Sequence, residues 1–284
     1  MKKIIALTLV LVLAVFACVS CKKKEYSLAF AVETSVGEDN KVSNYVAVLV
    51  LDANDKIVAA RIDCIETTAA LNEEGTAVAD VASVTSKVEL GDNYKMDSGS
   101  FAQQTKAFED AIIGKTAEEV ANLDMSLVTG CTMPYSPFSF KAVVAKAFAS
   151  TNKTTFKATK DFTLGVAATM SISENKASAY YAGTVVADGK ILASIIDCNE
   201  VSFTVANGTI TKGEYKGTKV ELGDNYKMDS GSFAQQTEAF ENAIVGKTSE
   251  EVANLDMSLV TGCTMPYSPF SFKAVVAKAI ANAR

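Results

Sequence analysis

The chain contains no histidine and no tryptophan. Without imidazole there is no Ser-His-Asp triad, no Cys-His pair, no HExxH zinc site and no histidine-ligated haem. Basic residues are also outnumbered: 27 Lys+Arg stand against 33 Asp+Glu, a formal charge of -6. Binding to nucleic acid needs Lys and Arg concentrated against phosphate, so that class is set aside. The chain has six cysteines, and none of Cys64, Cys131, Cys198 and Cys263 falls in a Cys-x-x-Cys. What remains is an ordinary globular composition, 49% apolar and 21% charged over 284 residues, a length that suits about two domains.

The first residues read as an address rather than as fold. Lys2 and Lys3 precede an apolar run from Ile4 to Phe16, and Cys18 and Cys21 follow. This resembles a bacterial lipoprotein signal, with Val19-Ser20-Cys21 at the cleavage point. The resemblance implies a signal over 1–20, lipid on Cys21, a tether over 21–25, and a protein exported and held on the bacterial membrane or cell surface. Cleavage before Cys18 fits worse, because Phe16 puts a bulky ring beside the small Ala17. A plain secretory signal, or an uncleaved anchor too short to span a bilayer comfortably, are the alternatives. Lys22, Lys23 and Lys24 would lie at the headgroups. Loss of Lys2 and Lys3 leaves 25 basic against 33 acidic residues, a mature charge of -8.

The chain also repeats itself. Lys87 to Ala147 and Lys219 to Ala279 align without a gap at an offset of 132, and 57 of 61 positions are identical. The exceptions are Lys106/Glu238, Asp110/Asn242, Ile113/Val245 and Ala117/Ser249. Upstream the match is looser, IVAARIDC from Ile57 answering ILASIIDC from Ile191. A period of this length is a domain, not a solenoid unit. The expected organisation is one copy over 26–150, a polar linker over 151–157, and a second copy over 158–284.

Each copy should open with strands and end with helices. Tyr26 to Val32, Val42 to Leu51 and Lys56 to Asp63 read as strands, and in the second copy Asp188-Gly189 sits between two apolar runs as a type I′ hairpin turn. Ser100 with Gln103, and Thr116 with Glu119, make capping boxes, and Phe101, Thr105, Phe108 and Ile112 share one helix face before Gly114. A last helix is expected from Ser136-Pro137 onward. Strands followed by helices predict an α+β class, an antiparallel sheet with helices packed on it in each of two tandem copies. Lys87 to Asp92 reads as a strand edge entering a loop.

Between the helices lies Ser126-Leu127-Val128-Thr129-Gly130-Cys131-Thr132, repeated from Ser258 through Thr261, Gly262, Cys263 and Thr264. A small, hydroxyl-rich turn before a helix can seat an anion, and such turns are also common in ordinary connections. Here the chain resembles the FMN-binding domain family of exported bacterial proteins, whose motif Asp-x-x-Ser/Thr-Gly-Ala-Ser/Thr precedes a helix rich in Ala and Val. Thr129, Gly130 and Thr132 match, as does Lys141-Ala142-Val143-Val144-Ala145-Lys146-Ala147. Ser126 departs from the motif Asp and Cys131 from Ala, while Asp124 lies two residues early. The resemblance implies FMN at Thr129 to Thr132 and Thr261 to Thr264, attached by phosphoester at Thr132 and Thr264. It also implies aromatic ring neighbours among Tyr94, Tyr135 and Phe138 with Tyr226, Tyr267 and Phe270. Ordinary core packing is the competing reading of those aromatics.

Discarding Cys18 and lipidating Cys21 leaves Cys64, Cys131, Cys198 and Cys263. Export predicts one disulfide per copy, Cys64 with Cys131 and Cys198 with Cys263, closing loops of about 65–70 residues. A reactive dithiol or a metal site lacks the neighbours it would need. Asp92, Asp97, Glu109, Asp110, Glu118 and Glu119 read as solvated helix faces. Two functions follow. One is a flavin protein passing electrons to a redox partner outside the cytoplasmic membrane, with the chemistry carried by the ring. The other is a non-enzymatic surface lipoprotein that binds a partner or small ligand, its flavin motif decayed.

Overall fold

The computed structural model describes residues 23–132, 139–159, 161–228, 231–264 and 272–284. The segment expected as an export signal, with Cys18 and Cys21, the Ser136-Pro137 pair, and Tyr135, Phe138, Tyr267 and Phe270 lie outside the described residues. The first half runs β1 (Lys24–Val36), β2 (Lys41–Leu51), β3 (Ile57–Leu71), β4 (Ala77–Ala79), α1 (Lys87–Leu90), a two-stranded ribbon of β5 (Lys95–Met96) and β6 (Gly99–Ser100), α2 (Phe101–Ile112), α3 (Ala117–Ala121) and α4 (Phe140–Ala149). The second half runs β7 (Lys153–Ala158), β8 (Thr163–Ser173), β9 (Lys176–Ala187), β10 (Lys190–Ala206), β11 (Thr209–Thr218), α5 (Lys219–Leu222), a ribbon of β12 (Lys227–Met228) and β13 (Gly231–Ser232), α6 (Phe233–Ile244), α7 (Ser249–Ala253) and α8 (Phe272–Ala281).

The fold is α+β. Two antiparallel sheets, ordered β4-β3-β2-β1-β7 and β11-β10-β9-β8, lie face to face. Leu28, Phe30 and Val48 of one meet Leu164, Tyr181 and Ile195 of the other. The outer face of the first sheet carries Ala29, Ala47 and Ile62 under Phe101, Phe108 and Phe140. The outer face of the second carries Ala167, Ala182 and Ile196 under Phe233, Phe240 and Phe272. The layers are therefore helix, sheet, sheet, helix. Strands covered on both faces have no reason to alternate, which is why β2 is buried almost without interruption.

Several local features follow their sequence. Both expected capping boxes form, on α2 and α3. Asp188 and Gly189 take φ of 51° and 72°, the left-handed pair that a tight hairpin requires. Two others differ. Residues 151–157, expected as a linker, contribute β7, which pairs with β1 at Leu28↔Thr154. Alternation explains it: Phe156 and Ala158 fall on one face, and Phe156 stacks on Tyr26 with ring centroids 5.6 Å apart. Lys87 to Leu90 is a helical turn rather than a strand edge, because the Ser86 hydroxyl accepts from the Glu89 N–H and caps it. The described part of the last helix of the first half begins at Phe140, where the Ser139 hydroxyl accepts from the Ala142 N–H.

Candidate functional site

The Thr-Gly-Cys-Thr turns sit against α2 and α6. Asp124 is occupied locally: its carboxylate accepts from the Ser126 N–H at 3.0 Å and the Ser126 hydroxyl at 2.8 Å, which holds it below the usual carboxylate range. Asp256 does the same with Ser258 at 3.0 and 2.7 Å. Gly130 takes φ 84° with the Ala107 methyl nearby, and Thr129 and Gly130 are exposed. Thr132 is exposed too, but its N–H and hydroxyl donate to Gln104 Oε1 at 2.9 and 3.3 Å. Thr264 repeats this on Gln236 at 2.9 and 3.2 Å. Thus a fully buried glutamine pins each turn to its helix. Neither glutamine stands out by composition. Helix phase was the available signal, since Gln104 lies three residues after Phe101 on the core face.

The expected disulfides are not formed: among the described residues no S–S bond joins Cys64 to Cys131 or Cys198 to Cys263, and all four cysteines are buried. Cys64 and Cys131 share the apolar cluster between sheet and helices, but they occupy different stations in it. Cys64 stands opposite Tyr45 on the neighbouring strand, whereas Cys131 is held in its turn by an N–H bond to the Val128 carbonyl at 3.1 Å. A disulfide requires Cβ atoms about 4 Å apart, and this packing does not supply them. Burial raises the Cys64 thiol well above its ordinary value and pushes Cys198 to about 12. Such thiols are poor nucleophiles at neutral pH.

A polar network unmarked by the sequence reading lies beside these cysteines. The carboxylate of Asp63, 1% exposed, accepts from the Ser86 hydroxyl at 2.7 Å, the Cys64 N–H at 2.7 Å and the Val88 N–H at 3.1 Å. Burial outweighs these donors and pushes its pKa up to about 6, while Asp197 reaches about 7 for the same reason. Lys87, also buried, pairs with Glu66 at 2.8 Å and lies 4.6 Å from the Tyr94 ring centroid, and Tyr94 donates to Glu66 at 3.2 Å. Lys219 repeats the pair with Glu200 at 2.8 Å and the ring contact with Tyr226 at 4.5 Å. Tyr94 and Tyr226 therefore serve the lysine that anchors α1 and α5. No group of three or more metal-ligating side chains occurs among the described residues.

The two halves part company at one carboxylate. Where β3 is the sheet edge, Glu109 of α2 covers it, its Oε1 accepting from the Ile62 N–H at 2.8 Å. Its Oε2 meets Arg61 Nη1 at 3.3 Å and Arg284 Nη2 at 3.1 Å, and Arg61 also donates to the Arg284 carbonyl. The solvated face expected for Glu109 is thus replaced by a residue 2% exposed, a placement its position four residues after Thr105 already implied. Glu241 of α6 covers the edge of β10 in the same way, accepting from the Ile196 N–H at 2.6 Å. No cation pairs with it among the described residues, and burial, with Asp197 and Glu238 nearby, pushes its pKa up to about 8. It lines a cavity of about 640 Å³ between α6, the start of β10, and residues 151–157. The cavity lined by Arg61 and Arg284 in the first half measures about 210 Å³.

Fold and site together define a four-layer α+β protein with two internally related halves, of which the second carries an open polar cavity beside a partly buried acid. No protein-family model matches the chain, and neither the curated proteins nor the solved structures give a match.

Proposed function

We propose that the protein is an exported, lipid-anchored binding protein that holds a partner or small ligand without transforming it. The observation that carries this reading is the cavity beside Glu241. At about 640 Å³ it has the size of a small-molecule site, with Thr237, Asn242 and Ser194 as polar lining groups. The Thr-Gly-Cys-Thr turns, by contrast, direct the N–H and hydroxyl of Thr132 and Thr264 onto buried glutamines. A lipid on Cys21 would hold the body at the membrane through the short Lys22-Lys23 segment before β1, whose Lys24 pairs with Ala158 and so is not part of the expected tether.

A second reading, covalent FMN at Thr132 and Thr264 with electron transfer to a redox partner, is supported by the exposure of both threonines. One experiment separates the two. The full chain is coexpressed with a flavin transferase, purified, and measured by intact mass and visible absorbance. The binding reading expects colourless protein with no added FMN mass. Two added FMN masses, lost when Thr132→Ala and Thr264→Ala are combined, would establish the flavin reading in its place.

A further inference from the structure

Glu109 and Glu241 occupy the same place in the two halves, and each spends one carboxylate oxygen on a strand-edge N–H. In the first half the other oxygen is taken by two guanidinium groups, Arg61 from β3 and Arg284 from the C-terminus. In the second half both positions have changed. Ile195 stands where β3 has Arg61, buried in the sheet–sheet core. Asn152, at the repeat offset of 132 from Arg284, stands where the C-terminal arginine does, and it is too short to reach as far. Asn152 lies in the wall of the same cavity as Glu241. The cavity thus holds, at Asn152, the place of one guanidinium that the second half lacks.

We infer that this cavity is a binding site for a guanidinium-bearing ligand, which seats its cation on Glu241 as Arg284 seats its own on Glu109. The inference rests on the binding reading above and names the ligand class for it. The other charged groups around the site agree. Glu238 on the same helix and Asp197 on β10 add negative potential. Lys153 and Lys157 also line the cavity, but Lys153 donates to the Phe148 carbonyl at 2.7 Å and Lys157 faces Glu25 at 3.8 Å. The planar guanidinium, with several N–H donors in a fixed fork, suits a carboxylate oxygen better than a compact ammonium does.

Occupancy carries a proton signature. The Glu241 carboxyl is protonated at neutral pH when the cavity holds only solvent, and a bound cation draws it into the ionised form. Binding then releases a proton, and affinity rises roughly tenfold per pH unit between pH 6 and about 8.

The test is calorimetric titration of the full mature chain with N-acetyl-arginine amide, using the citrulline analogue as the uncharged control, at pH 6, 7 and 8. The arginine probe is expected to bind, tightening with pH and releasing a proton, while the citrulline probe does not. Glu241→Gln, which mimics the protonated carboxyl, is expected to weaken binding at least tenfold and to flatten its pH dependence. Asn152→Arg places a guanidinium in the wall and is expected to exclude the probe by a similar factor. No binding by the unaltered chain at pH 8, or binding that neither substitution weakens, would overturn the inference. Either failure leaves the flavin assay unaffected, so loss of this site and loss of the binding reading are told apart.

Discussion

The outer layers of this molecule are nearly the same on both sides, and the inner layers are not. The 61-residue segment that is almost identical in the two halves contains α1 to α4 and α5 to α8 up to Ala279, which cover opposite faces of the paired sheets. The strands that meet at the centre have diverged, and the contact explains why. Equivalent positions face one another there, as in an isologous interface. Strand pairing with Cys64 and Cys198 aligns Tyr45 with Tyr180, and therefore Val48 with Gly183. These two positions touch: a Cβ on Gly183 would come within 2.5 Å of a Val48 methyl. Two valines would not fit. The same asymmetry places Asn44 where the second half has Ala179, and Asn199 where the first has Ile65. The two asparagines bond at 2.7 Å, joined by Thr34 and the Tyr181 hydroxyl at 2.6 and 2.9 Å. A surface facing solvent can be copied, but two surfaces facing each other must become complementary.

The largest effect should come from undoing that complementarity. Gly183→Val overpacks the sheet–sheet contact and is expected to lower stability by about 3 kcal/mol in urea denaturation. Adding Val48→Gly reverses the roles of the two positions and should recover more than half of the loss. A double variant no more stable than Gly183→Val alone would show that the two sites are not coupled and would remove the basis of the comparison.

A somewhat smaller effect is expected where the halves differ in charge pairing. Arg61→Ala leaves the buried Glu109 with Arg284 as its one remaining cation, and a loss of about 2 kcal/mol follows from an undercompensated buried carboxylate. Ile195→Ala, at the matching place in the second half, removes apolar contacts instead. Its loss should be independent of salt, whereas that of Arg61→Ala should shrink as salt rises. Equal salt dependence in the two variants would mean that the arginine acts through packing alone.

The second half should also be the more sensitive to alkali. The carboxyl of Glu241, with a folded pKa of about 8, lies far above its unfolded value near 4.3, so the native chain binds more protons than the unfolded chain between those limits. Stability therefore falls as pH rises from about 4 to 8. Asp63 and Asp197 contribute with the same sign, over windows that end near 6 and near 7. Glu241→Gln should leave stability unchanged near pH 4 and raise it by about 2 kcal/mol at pH 9, read from urea midpoints across the series. A variant that tracks the unaltered chain at every pH would place the Glu241 carboxylate in water.

What could be read from the residues alone was local. The spacing of Phe101, Thr105, Phe108 and Ile112, the capping boxes, and the Asp188-Gly189 turn each specify a conformation through neighbours within a few positions. The strand β7 and the helix α1 are short, and they hold through partners far along the chain. Phe156 needs Tyr26, and Lys87 needs Glu66. The same holds for the site. Arg61, Glu109 and Arg284 are separated by 48 and 175 residues, and nothing near any of them announces the other two. Export predicts disulfides among the four remaining cysteines, but it is blind to where on a shared face each thiol lies. The sheet-to-sheet contact was illegible for a further reason: the repeat was visible, but that its halves pack on each other was not.

The smallest difference between the halves lies on the outside. Lys106 and Asp110 form an i,i+4 ion pair on α2, with side chains 52% and 64% exposed, and the second half has Glu238 and Asn242 at those places. An exposed pair of this kind stabilises a helix by about 0.3–0.5 kcal/mol and is screened by salt. Lys106→Glu, which gives the first half the residue found in the second, is therefore expected to lower stability by no more than about 0.5–1 kcal/mol, since it also sets two acids four residues apart. Adding Asp110→Asn should restore most of that, because the pair then matches the second half. The measurement is a urea midpoint at low and high salt. A loss well above 1 kcal/mol, or one that persists at high salt, would mean that the outer layer is more than a solvated face. The near-identity of the two helical layers would then need a contact that Lys106 makes and Glu238 does not.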